Sequence, residues 1–187
     1  MEPFFDDLKD ATRKAVRELR KNVVNFEKER FHREQRQEAQ LVAEVYHNLR
    51  LNRYSAKDLF MEYLYPPTEI NGQKKKLKPD LIFEQNGIDQ VVEFRVFWDR
   101  DLYVKNSVLT KTSMNIVNTY YEKMLAYAKL QNKVSNGYLV FAFIGPEVFE
   151  TGKKFNSSEF VKSVNEQIHL LKRNNRKIEF PTEVIVS

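Results

Sequence analysis

Hydrophobic positions recur along this chain with two different periods, and the places where the period changes divide it into elements. Phe4, Leu8, Ala11, Ala15, Leu19, Val23 and Phe26 recur three and four apart. Phe31, Leu41, Val42, Val45 and Leu49 resume the pattern, so 3–49 is predicted to form one or two long helices. A short strand is expected over 59–64, stopped by Pro66-Pro67. The runs 80–85 and 88–98 are rich in β-formers and flank Asn86-Gly87. That dipeptide is the strongest short-range hairpin signal, because both turn positions require positive φ. Helical spacing returns over 113–130 through Ile116, Tyr120, Met124 and Tyr127. Asn136-Gly137 then precedes 138–144, a continuous apolar run of the kind found in a strand covered on both faces, and Gly145-Pro146 ends it. A helix over 157–172 carries Phe160, Val164, Ile168 and Leu171 on one stripe, and 183–186 reads as an edge strand. The order α-β-β-β-α-β-α-β predicts an α/β fold, a mixed sheet flanked by helices.

The hairpin has a definite register. With Asn86-Gly87 as a two-residue turn, Gln85 pairs with Ile88, Phe83 faces Gln90, Ile82 faces Val91, and Asp80 lies opposite Glu93. Residues two apart share a face, so Asp80, Ile82, Glu84, Glu93, Arg95 and Phe97 point one way. Leu81, Phe83, Val92, Phe94, Val96 and Trp98 point the other way. That wholly apolar set fixes the register, since a slip of one residue would exchange the faces. Two carboxylates are thereby opposed with Cβ atoms roughly 4.5–5.5 Å apart, an arrangement that is destabilising without a positive charge between them. Arg95 can supply that charge, and so can Mg²⁺ or Mn²⁺. Magnesium is commonly bound by one or two carboxylates plus water and phosphate oxygens.

A third acid comes from the second helical stretch. With about 100° per residue, Leu41, Val42, Val45 and Leu49 all fall within roughly 60° of Glu38. Glu38 is therefore expected in the middle of a buried stripe, with Glu34 on the same side and Glu44 pointing away. An acid so placed needs a partner, because an unpaired buried carboxylate costs several kcal/mol or shifts its pKa.

Composition narrows the classes. The chain is 42% apolar and 30% charged, which suits one globular domain with a real core. No apolar run approaches a membrane span, and the acidic, amphipathic start predicts no secretory signal. Cysteine is absent, which excludes disulfides and thiolate zinc sites and fits a cytoplasmic setting. His32, His47 and His169 are too scattered for an imidazole cage. The net charge of +5 permits contact with polyanions, and its most pointed local expression is Lys74, Lys75, Lys76 and Lys78, running straight into Pro79-Asp80.

Lys78-Pro79-Asp80, a hairpin, and Glu93-Phe94-Arg95 together resemble the signature of the PD-(D/E)xK nuclease superfamily. The element order is similar to its restriction-endonuclease-like αβββαβ core. The resemblance covers 34–145; 1–33 would be an N-terminal helical extension, and 146–187 a C-terminal helix and strand completing a single domain. It implies a metal-dependent nuclease that hydrolyses phosphodiester bonds, of DNA in the first instance. Asp80, Glu93, the Phe94 carbonyl and Glu38 would bind Mg²⁺ or Mn²⁺. Arg95 would take the last catalytic position, and Lys74, Lys75, Lys76 and Lys78 would hold the nucleic-acid backbone. The family usually has lysine where this chain has Arg95. A guanidinium can clamp phosphate but does not exchange protons. Lys105 and Lys111 are the candidates to replace it in space.

Other readings remain open from the residues alone. A catalytically weak or inactive nuclease-fold protein that binds nucleic acid or a protein partner would carry the same pattern. Asp80, Glu93 and Arg95 would also serve as a structural salt-bridge cluster, and the four lysines as a solvated loop. The stripe of the N-terminal helix can pair two chains into a homodimer, or an assembly of coiled-coil type, or can pack on its own domain. His47 and Trp98 read as packing residues. Tyr120, Tyr121 and Tyr127 can stack bases, but their helical spacing is that of a core.

Overall fold

A computed structural model describes residues 3–23, 33–70, 73–97, 104–105, 107–130, 133–144, 154–174 and 180–187. Two helices come first, α1 (Pro3–Val23) and α2 (Arg33–Asn52). Four strands supply the first part of the chain's β-structure beyond them: β1 (Leu59–Met61), β2 (Thr68–Ile70), β3 (Gln73–Lys75) and β4 (Leu81–Gln85). Next are β5 (Ile88–Phe97), β6 (Val104–Lys105) and β7 (Val108–Leu109). The rest comprises α3 (Lys111–Tyr127) with a short 3-10 turn (Ala128–Leu130), β8 (Val134–Phe143), α4 (Ser157–Asn174) and β9 (Thr182–Val186). The expected αβββαβ order is present as α2-β1-β4-β5-α3-β8. Phe26, Phe31, His32, Trp98 and Gly145-Pro146 lie outside the described residues, as do the side chains of Glu34, Lys75 and Lys105.

The main sheet is mixed and has the order β1-β4-β5-β8-β9. β1, β4 and β5 form an antiparallel meander, and β8 and β9 continue it in parallel. Each parallel step requires a crossover, supplied by α3 and then by α4. Both steps move in the same direction across the sheet, so connections of one hand place both helices on the same face. The side chains show this division. Leu81, Phe83, Val92, Phe94 and Val96 pack with α1 and α2, while Ile82, Val91, Phe97, Leu139 and Phe141 pack with α3 and α4. The β4–β5 register is the predicted one, with Leu81 opposite Val92 and Gln85 opposite Ile88. Asn86 and Gly87 have φ of 56° and 77°, the positive pair that such a turn demands.

Several details differ from expectation. Asn136-Gly137 does not precede the strand expected over 138–144 but lies inside it, in β8. Its glycine answers to packing rather than to a turn, since a Cβ there would run into the Met124 sulfur and meet the Phe180 ring at 3.0 Å. Gly137→Ala should therefore overpack the sheet–helix interface by about 1–3 kcal/mol. The check is a lower urea midpoint at unchanged m, and an unaltered midpoint would show that Met124 moves aside freely. The small β2–β3 and β6–β7 hairpins were not legible in the period of the sequence. His47, expected to pack, is exposed.

Phe4, Leu8, Ala11, Ala15, Val16 and Leu19 of α1 are buried in the same cluster as the sheet residues. The described part of the stripe that suggested a homodimer, Phe4 to Leu19, is thus covered by its own chain. Phe4 stacks on Phe83 with ring centroids 4.4 Å apart. Arg20 donates from Nε and Nη2 to the carbonyl of Phe143 at 3.1 and 2.8 Å, fastening the end of α1 to the end of β8.

Candidate functional site

Asp80 immediately precedes β4, and extension of the β4–β5 register by one step places it opposite Glu93. The two strands are stitched at this level by a side chain. Asp80 Oδ2 accepts the Phe94 N–H at 2.8 Å. Glu93 lies at the middle of β5, flanked by β4 and β8 and roofed by α3, and is completely buried. Its oxygens are both occupied: Oε2 by Lys123 Nζ at 2.6 Å, and Oε1 by the Tyr127 hydroxyl at 2.6 Å.

The electrostatics are those of two acids forced together. Burial raises the Glu93 pKa, the Asp80 charge raises it further, and Lys123 and Tyr127 offset only part of this, leaving it pushed up to about 8. Asp80 is also held above its ordinary value, chiefly by burial. The Phe94 N–H, the Lys123 charge and a hydrogen bond with Glu93 pull the other way, and the Glu62 charge adds to the rise. A Glu93 carboxyl that keeps its proton near neutral pH can donate to Asp80, which is how the two oxygens come to share a bond rather than repel. Tyr127 is raised in turn, by burial and then by Glu93.

Glu38 reaches the same region from α2. Arg95 Nη1 donates to its Oε2 at 3.3 Å, the Val96 N–H points at the same oxygen at 3.5 Å, and the Tyr120 hydroxyl donates to Oε1 at 3.4 Å. Burial raises the Glu38 pKa, Arg95 opposes the rise, and Asp80 is near enough to add to it. Glu38, Asp80 and Glu93 therefore occupy one neighbourhood, but Glu38 is turned to Arg95. Among the described residues, no group of three or more His, Cys, Asp or Glu side chains is arranged to hold a metal ion. The pair Asp80 and Glu93 nevertheless fits a hard divalent cation. Glu93 is buried and Asp80 half-buried, both are raised in pKa chiefly by that burial, and one or two carboxylates with water suffice for Mg²⁺.

Arg95 and Lys123 are cations of the neighbourhood, each beside a different acid. Arg95 is paired with Glu38, and the lysine beside Glu93 is Lys123. Lys111, one of the two lysines considered from the sequence, is exposed at the start of α3. Lys123 escaped notice although its signal was there. With Tyr120 as zero and about 100° per residue, Tyr127 falls at about −20°, inside the stripe of Ile116, Tyr120 and Met124, and Lys123 at about −60°, on its edge. A lysine on a buried stripe calls for an acidic partner just as Glu38 calls for a basic one. Tyr127 is indeed buried, and Tyr120 nearly so, but their hydroxyls end on Glu93 and Glu38.

The lysine cluster belongs to an arm. Beyond β1 and β4 the antiparallel pairing continues: the Glu62 N–H donates to the Asp80 carbonyl at 3.1 Å and the Tyr65 N–H to the Leu77 carbonyl at 3.0 Å. The β2–β3 hairpin continues it, with Thr68 opposite Lys75. Lys74, Lys76 and Lys78 are exposed along its returning strand, and Lys78 pairs with Glu62 at 3.0 Å.

No family model matches the chain, and no curated protein matches it. Among solved structures it is similar to Pyrococcus furiosus SfsA in complex with Ca²⁺, at 10% identity and a TM-score of 0.34. The match takes in 79% of this chain and spans 57% of that one. No helix among the described residues is long and apolar enough to cross a membrane.

Proposed function

We propose that the protein is a divalent-metal-dependent nuclease acting on DNA. The observation that carries this reading is the Asp80–Glu93 pair, Glu93 fully and Asp80 half-buried, with Lys123 set against it. Two carboxyls opposed in a sheet interior cost stability. A simple structural role would be met more cheaply by apolar residues, whereas a hard cation turns the same pair into ligands. When bound, Mg²⁺ or Mn²⁺ supplies a polarised water and positive charge at the scissile phosphate.

The chain's own residues have separable tasks. Asp80 and Glu93 hold the ion, and the Phe94 N–H and Tyr127 hydroxyl fix where their oxygens point. Lys123 supplies the positive charge beside the acids, in the role for which the Arg95 position first appeared to be needed. Arg95 and Tyr120 keep Glu38 oriented at the rim, where its carboxylate is suited to holding a water rather than a third ligand position. Exposed Lys74, Lys76 and Lys78 offer salt-dependent contacts to phosphates without reading sequence.

The test is incubation of labelled linear and branched DNA with Mg²⁺, Mn²⁺ or EDTA, alongside calorimetric Mn²⁺ binding. Cutting in metal and none in EDTA is expected. Lys123→Met should lower turnover about a hundredfold while leaving Mn²⁺ affinity within a few-fold, because it removes charge at the transition state rather than a ligand. Wild-type protein that binds no Mn²⁺ and cuts nothing would sink the proposal. In that event the second reading, a nucleic-acid-binding module on the same architecture, would have the arm's lysines in its favour.

A further inference from the structure

The arm carries its lysines on one face. Tyr65 and Leu77 are buried in the same cluster, and the Tyr65 N–H donates to the Leu77 carbonyl at 3.0 Å. The Tyr63 ring meets the Tyr65 ring edge-on at 5.2 Å, so Tyr63, Tyr65 and Leu77 share one side of the arm. Lys76 and Lys78 flank Leu77, and alternation turns them to the other side, where Lys74 joins them two residues further out. All three lysines are exposed. The row begins beside the acid pair. Lys78 pairs with Glu62 at 3.0 Å, the Glu62 N–H donates to the Asp80 carbonyl at 3.1 Å, and the Glu62 charge raises the Asp80 pKa. Six residues of extended chain separate Asp80 from Lys74, a reach of about 20 Å. The base of the arm is stiff, because the Tyr65 hydroxyl donates to Asp89 Oδ2 at 2.6 Å and Pro66-Pro67 fix two φ angles. Beyond it, β2 and β3 pair with each other alone among the described residues, and a lone two-stranded ribbon is marginal in water. Its lysines, roughly 6–7 Å apart at each step, also repel one another. A polyanion along the row would offset both costs. Glu69 stands opposite Lys74 and Glu62 holds Lys78, which leaves Lys76 as the member with no ion pair among the described residues.

We propose that Lys74, Lys76 and Lys78 bind the phosphates of a double-stranded flank to one side of the cut, over about six base pairs at 3.4 Å per pair. The inference rests on the nuclease reading and narrows its substrate to DNA that is duplex beside the scissile phosphate. A single strand is held by stacking its bases on aromatic rings as well as by charge. The tyrosines of the arm lie on the other side, so the lysine face has charge to offer a backbone and no tyrosine to offer a base. A duplex, whose base faces are already stacked, asks for nothing more than that charge. The stiff base holds the flank at a set distance from Asp80 and Glu93.

Fluorescence anisotropy with a labelled duplex and with an oligothymidylate of equal length, both in EDTA so that nothing is cut, tests this. The combined Lys74→Ala, Lys76→Ala and Lys78→Ala variant should bind duplex at least about tenfold more weakly and oligothymidylate nearly as before. Its slope of log affinity against log salt should be shallower by about two to three, since each lost phosphate contact removes about 0.9. Lys76→Ala alone should account for the largest single share. On an end-labelled duplex with Mn²⁺, wild type should leave about six base pairs at one end of each strand uncut, and the combined variant should cut, more slowly, up to both ends. A thermal melt of the combined variant matching wild type shows that the fold is retained. Wild type binding oligothymidylate as tightly as duplex would overturn the inference. So would an equal loss of duplex affinity when the exposed Lys57, Lys129 and Lys133 are replaced instead, which would reduce the effect to net charge. Metal-dependent cutting of duplex by wild type, with duplex affinity unchanged in the combined variant, would leave the nuclease reading standing and remove this one. Duplex affinity lost in the combined variant, with no cutting by wild type in either metal, would keep the duplex-binding row and remove the nuclease reading.

Discussion

Asp80→Asn is expected to lower metal-dependent DNA cleavage at least about a thousandfold, with the fold retained. Asparagine keeps an oxygen that can accept the Phe94 N–H, so the stitch between β4 and β5 survives. It removes the charge that a divalent cation needs, and with it several kcal/mol of stabilisation of developing charge, each 1.36 kcal/mol being about tenfold in rate. Glu93→Gln should match it in activity, because the two carboxyls act as one site and their losses are not additive. Calorimetric titration with Mn²⁺ should show the binding isotherm flattened in both. Cleavage persisting in Asp80→Asn at near wild-type rate would place the chemistry elsewhere.

The same acid should make the metal-free protein lose stability as the solution becomes alkaline. Glu93 is pushed up to about 8 by burial and by Asp80, against 4.5 for the free side chain. A carboxyl with a raised folded-state value binds its proton more tightly in the native chain than in the unfolded one. That preference favours the fold fully below pH 4.5 and disappears as pH rises through about 8. The difference across the window is on the order of a few kcal/mol. Urea denaturation at pH 5 and pH 9 in EDTA should show it, and in Glu93→Gln the gap should shrink. Saturating Mn²⁺ should restore more stability at pH 9 than at pH 6, since metal and proton compete for one site. A flat profile for wild type would show that Lys123 fully neutralises Glu93. If both results hold, Glu93→Gln is an inactive protein that tolerates alkali better than its parent.

What the sequence disclosed followed the range of its signals. Asn86-Gly87 dictated a turn through backbone sterics alone, and the alternation around it dictated the register, so Asp80 opposite Glu93 needed no tertiary information. Glu38 was legible because an acid among Leu41, Val42 and Val45 breaks a hydrophobic period. Lys123 broke the α3 pattern only at its edge, and Tyr127 read as packing because the polar end of a phenol carries no mark in a pattern of apolar spacing. The partner of Arg95 was not derivable either. Which acid a guanidinium meets depends on how α2 docks, across a separation of 57 residues. The arm escaped for a different reason. Its hydrogen bonds at Glu62 and Tyr65 are isolated ones between short strands, and Pro66-Pro67 hides their continuity.

The placement of the acids on a local hairpin also bears on how the molecule assembles. A two-residue turn can close within microseconds, while the crossover that delivers Lys123, 30 residues from Glu93, waits on α3 and β8. For that interval the carboxylates face each other with only solvent to screen them. The early hairpin is therefore weakest where the mature protein is most constrained. Its zipping depends on the apolar cross-strand set of Leu81, Phe83, Val92 and Phe94 to hold a pairing that the two acids resist. Acidic conditions, by placing a proton between them, should speed this step.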